Sequence, residues 1–113
     1  MKEIIEFLNK AIDTLNVESM ASDLSMAVSY YYTASTYYAE KEMEYNKDVG
    51  KASEALSDTE LNMKEKENKI KYITSESKYR QTRADGILKA LEVKIEALRT
   101  LISKAKTEMT ISK

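Results

Sequence analysis

The sequence predicts an all-α protein, an elongated helical hairpin or bundle with coiled-coil-like heptad packing, and three observations carry that expectation. The 113 residues contain no proline and only two glycines, Gly50 and Gly86, so the chain has few places to turn tightly. The abundant residues, Ala, Glu, Lys, Leu and Met, are good helix formers. Apolar residues recur at spacings of three and four, which gathers them on one face of a helix. Hydrophobic content of 42% with both charge signs mixed is too high for a disordered tail, and the length suits one helical domain over 1–113.

The first element, over 1–16, is a short amphipathic helix with Ile4, Ile5, Leu8, Ala11, Ile12 and Leu15 at helical spacing. Glu3 and Glu6 come early and Lys10 late, in keeping with the helix dipole. Asn16 to Ser19 interrupts the pattern, and Ser19 is the expected N-cap of the next helix.

A tyrosine-rich helix follows over 19–49. Its seam steps by four and three through Leu24, Val28, Tyr31, Ser35, Tyr38, Glu42, Tyr45, Val49, Ala52 and Leu56, with Ser35 and Glu42 as polar members. Gly50 is placed to end it as a C-cap or turn.

The third element, over 52–110, is the most regular. Leu56, Met63, Ile70, Ser77, Ala84, Leu91, Leu98 and Ala105 recur every seven residues, and Leu88, Ile95, Ile102 and Met109 supply a second row near the end. Ala84, Leu88, Leu91, Ile95, Leu98, Ile102 and Ala105 are the expected seam for oligomerisation. Ser57-Asp58-Thr59-Glu60 fits a capping box, so a helix can start near 57, and Gly86 marks a second candidate break; one helical glycine costs only about 1 kcal/mol against Ala, and continuity through Gly86 is the expectation. An uninterrupted helix from 52 to 109 would be roughly 85 Å long at 1.5 Å per residue, a length that needs a partner. That partner is the second helix folded back, another copy of the chain, or both.

The net charge of −1 conceals a split. Residues 1–63 carry 5 Lys and Arg against 12 Asp and Glu, a net −7, while residues 64–113 carry 13 against 7, a net +6. One reading is that acidic and basic helices lie side by side and neutralise each other. The other is that the basic half binds single-stranded nucleic acid, with Lys71, Lys78, Tyr79, Arg80 and Arg83 as contacts and Lys69 and Tyr72 nearby. Glu76 and Asp85 interleave with these residues, and no known nucleic-acid motif is present.

Tyr30, Tyr31, Tyr32, Tyr37 and Tyr38 fall within nine residues, and successive helical residues point about 100° apart, so they cannot all face one core. They form a wide packing face with phenol groups at its rim, or a protein-binding patch of Tyr30, Tyr31, Tyr37 and Tyr38. Ala27, Ala34 and Ala39 would let another helix approach.

No catalytic, cofactor-binding or metal-binding residue is expected. The absence of His and Cys removes the commonest bases, nucleophiles and zinc ligands, and two glycines cannot make a phosphate-binding loop. Glu40, Glu42 and Glu44 lack the histidine that helical di-metal sites require. No apolar run reaches membrane-spanning length, and acidic Glu3 and Glu6 stand where a signal peptide would be basic, so a cytoplasmic protein without a membrane partner is expected.

The opening Met1, Ile4, Ile5 and Leu8, and the closing Ala97, Leu98, Arg99, Leu101, Ile102 and Ser103, resemble small helical bacteriophage proteins encoded among early or recombination genes. That resemblance implies a cytoplasmic accessory protein acting on DNA-processing machinery or on a host protein, and it assigns no residue. The expected function is a non-enzymatic, self-associating interaction or scaffold module whose partners are its own copies and another protein. The alternative is a nucleic-acid accessory protein.

Overall fold

The computed structural model describes residues 1–111 and is all-α, with four helices and no strand among those residues. Helix α1, Lys2–Asn9, ends sooner than its apolar spacing suggests. Lys10 turns extended, and the Asp13 carboxylate accepts the Leu15 N–H at 3.2 Å in a short polar turn that competes with helix. Leu15, assigned to the apolar face, is therefore 95% exposed, while Ile12 still packs on the core. The cap of the next helix is Asn16, whose side-chain oxygen accepts the Ser19 N–H at 3.0 Å, and not Ser19 itself.

Helix α2, Val17–Leu56, runs straight through Gly50, which has no positive φ and caps nothing. It stops where the Ser57 and Thr59 hydroxyls donate back to the Glu54 and Leu56 carbonyls, both at 2.7 Å. Those bonds satisfy two of the orphan carbonyls of the last turn. The expected capping box at Ser57–Glu60 is consequently absent, and a reciprocal pair forms five residues later. Asn62 Oδ1 accepts the Glu65 N–H at 2.9 Å while its amide donates to Glu65 Oε1 at 2.8 Å, starting α3, Met63–Ile73.

An interruption at Thr74, which the periodicity does not reveal, separates α3 from α4, Ser75–Ile111. The Thr74 N–H and hydroxyl both donate to the Ile70 carbonyl, at 2.9 and 2.7 Å, and Ser75 and Ser77 hydroxyls bond back to Tyr72 and Thr74. Such back-bonding loosens the ordinary ladder and bends helices. Gly86, by contrast, lies in unbroken helix.

The chain forms two compact units. It leaves the first, residues 1–35 with 87 onward, along α2, and returns to it along α4; the second is Thr36–Gly86. In the first unit, Ile4 and Phe7 of α1, Met20, Ala27 and Ala34 of α2, and Leu91, Ile95 and Leu98 of α4 form one buried cluster. The inner row of α2 thus lies one residue ahead of the expected Val28-Ser35 row: Met20, Ala27 and Ala34 are buried, while Val28 and Ser35 are half-buried. Alanines allow close helix approach, and the polar members fall outside the seam; Glu42 is exposed.

The second unit buries small residues, Ala52, Thr74, Ser77 and Ala84. Met63, expected in the long heptad row, is 77% exposed at the first position of α3, while Ile70, Ser77 and Ala84 of the same row are half-buried or buried. No helix among the described residues is long and apolar enough to cross a membrane.

Candidate interaction surfaces

Within the first unit a polar cluster fixes α1. The Lys94 ammonium, in a residue only 8% exposed, donates to the Phe7 carbonyl at 2.6 Å and the Lys10 carbonyl at 2.8 Å, and lies 4.3 Å from the centre of the Phe7 ring. It caps the C-terminus of α1, where backbone carbonyls are unpaired and the helix dipole favours a cation. Burial pushes its pKa below the ordinary lysine value; Asp23 pulls it up and Lys10 pushes it down. Asp23, buried, pairs with Lys10 at 3.7 Å. Neither Lys94 nor Asp23 stood out in the sequence, yet the signal was there. Leu91, Lys94 and Leu98 step by three and four, as do Met20, Asp23 and Ala27, so both charges lie in the buried rows.

The expected oligomer seam is covered within one chain. Ala84, Leu91, Ile95 and Leu98 are buried, and Leu88, Ile102 and Ala105 are half-buried. The tyrosines divide by direction. Tyr30 stacks edge-on against Phe7 at 5.3 Å, and the Tyr31 hydroxyl donates to Glu92 at 3.1 Å. That bond and the Glu92 charge raise the Tyr31 pKa. Tyr32, 69% exposed, meets Tyr31 edge-on at 6.4 Å. In the second unit Tyr37 lies 5.0 Å from the Lys41 ammonium, and Tyr38 is half-buried. Ala39 is exposed.

Between α2 and α4 of the first unit runs an open groove of about 390 Å³, lined by no residue of α1. Val28, Tyr31 and Ile95 form its apolar floor, and Glu92, Glu96 and Arg99 its charged rim. Tyr32 also lines it.

The second unit carries the basic residues singled out from sequence. Lys71, Tyr79 and Arg83 are exposed. Arg80 pairs with Glu76 at 3.1 Å on its own helix. The Lys78 ammonium lies 4.9 Å from the Tyr45 ring centre and donates to Gln81 at 3.1 Å, so it is turned toward α2 and away from the other cations. Tyr72, 83% exposed, and Lys69, exposed, fall on the Tyr79 side at helical spacing.

Among the described residues no three acidic side chains gather to hold a metal ion. Comparison with known proteins finds no matching family model, no matching curated protein and no matching solved structure.

Proposed function

We propose that this protein is a non-enzymatic cytoplasmic interaction module that self-associates through the open groove of its first unit. The supporting observation is the groove's composition. It has an apolar floor of Val28, Tyr31 and Ile95 and a rim on which Glu96 and Arg99 carry opposite charges one turn apart. A two-fold interface places the same patch on both copies and must be self-complementary. Two antiparallel α4 helices centred between these residues would set each Glu96 against the other copy's Arg99. Exposed Tyr32, which also lines the groove, would add apolar area at its edge. The heptad seam does not need a second copy, since α1 and α2 already cover it.

Light scattering over a range of concentrations should give a multiple of the chain mass of 12.9 kDa. Glu96→Arg or Arg99→Glu alone should weaken assembly by placing like charges together, and the double exchange should restore it. A single-chain mass at every concentration would remove the proposal, and assembly indifferent to both exchanges would move it off this groove.

A further inference from the structure

We infer that the second unit binds single-stranded nucleic acid along an exposed strip of Lys69, Lys71, Tyr72, Tyr79 and Arg83. This goes beyond the self-association reading and rests on different residues. Three observations combine. First, the segment Lys69 to Arg83 holds 5 Lys and Arg against one acid, Glu76. Glu76 is engaged by Arg80 at 3.1 Å, so its charge is already compensated.

Second, Lys69, Lys71 and Arg83 form no ion pair and no side-chain hydrogen bond among the described residues. The acidic residues of α2 in the same unit do not reach them: Glu40, Glu42, Asp48 and Glu54 are themselves exposed, and Glu44 is held by Lys41 at 3.3 Å. The positive charge is therefore presented to solvent. Third, two large aromatic rings stand among those cations without a core role, Tyr72 at 83% and Tyr79 at 64% exposure.

Lys69, Tyr72, Tyr79 and Arg83 fall on one helical face, because the ladder bonds Thr74 N–H to Ile70 and Lys78 N–H to Thr74, both 2.9 Å, keep the helical step through the interruption. Seven residues place the two rings about 10 Å apart along the axis. Cations following a backbone, with rings between them for bases to stack on, are what a single strand requires. A duplex would leave the tyrosines without a base face to stack on. Recognition of this kind is tolerant of sequence, because every base offers a flat face.

The test is fluorescence anisotropy of the full chain with a labelled oligothymidine of about twenty nucleotides. Binding should be seen at about 25 mM salt and weaken toward 150 mM with a log–log slope near −2, since each neutralised single-strand phosphate contributes about −0.7. Neutralising Lys69, Lys71 and Arg83 together to Gln should bring the slope near zero. Tyr72→Ala and Tyr79→Ala should each weaken binding about fivefold or more while leaving the slope unchanged. All five side chains are exposed, so circular dichroism should show the variants folded.

No binding at the lower salt overturns the inference. Binding that the tyrosine variants leave intact, and that inorganic polyphosphate displaces equally well, also overturns it by reducing the strip to a general anion patch. If the Gln variant instead lowers the solution mass, the strip faces the acidic α2 of another copy and the inference fails.

Discussion

Lys94 combines two roles that usually conflict, burial and charge. Its ammonium is desolvated, which is why its pKa is lowered, but it donates to two carbonyls at the end of α1, that of Lys10 and that of Phe7, which also accepts the Lys10 N–H at 3.2 Å. Lys94→Met should cost about 1–3 kcal/mol, the worth of hydrogen bonds to a charged group, and should speed amide exchange in α1 while sparing the second unit. The pH dependence follows from the lowered pKa. Between the native pKa and the ordinary 10.5 the unfolded chain holds more proton at this site, so the cost of the buried charge is fully present at neutral pH and fades as pH rises. Thermal unfolding followed from pH 7 to pH 10 should show the wild type gaining on Lys94→Met. A constant difference would mean that the ammonium is not desolvated. At the centre of the core, Leu98 is fully buried, and Leu98→Asp should cost several kcal/mol and abolish cooperative melting.

At the level of the helix, the ends are set by side chains a few residues away, and each makes a separable contribution. Asn62→Ala removes the α3 cap and should lower stability by about 1 kcal/mol, read as a reduced melting temperature. Gly86→Ala should act in the opposite direction. The glycine is helical, an added Cβ would meet nothing within 4 Å, and the gain should be up to about 1 kcal/mol. The helices themselves were legible from composition and spacing, and Leu91, Ile95 and Leu98, expected in an oligomer seam, are buried within one chain. The ends were not, because Asn16 and Asn62 compete with Ser19 and Ser57 as caps and geometry decides among them. Thr74 escaped notice because one hydroxyl bonding back to Ile70 leaves the apolar period undisturbed. The inner row of α2 runs through Ala27 and Ala34, one residue ahead of the row that the heptad-spaced Tyr31 and Tyr38 suggest, because tight helix packing favours the smaller side chain.

Across the molecule, the near-zero net charge arises from a division of labour in sequence. The N-terminal part is acidic and the C-terminal part basic, yet the pairs joining Lys41 to Glu44 and Glu76 to Arg80 are each made within one helix. Raising salt should therefore leave the melting temperature nearly unchanged, because pairs within one helix contribute little and the Lys10–Asp23 pair, with its carboxylate buried, is only weakly screened. A steep loss of stability with salt would show that cross-helix attraction holds the fold. The candidate surfaces were only partly visible beforehand. Lys71, Tyr79 and Arg83 were found from charge and aromatic density, while the groove of Val28, Glu92, Ile95, Glu96 and Arg99 joins residues distant in sequence and had no local signature.

The contact between Lys94 and the carbonyls of Phe7 and Lys10 spans 84 to 87 residues, and this imposes an order on biosynthesis. Helix α1 is synthesised long before the side chain that caps it. Until the nascent chain has delivered Lys94 and the leucines beside it, α1 has only α2 to pack on, and any product cut short before that point leaves Ile4 and Phe7 covered on one side alone.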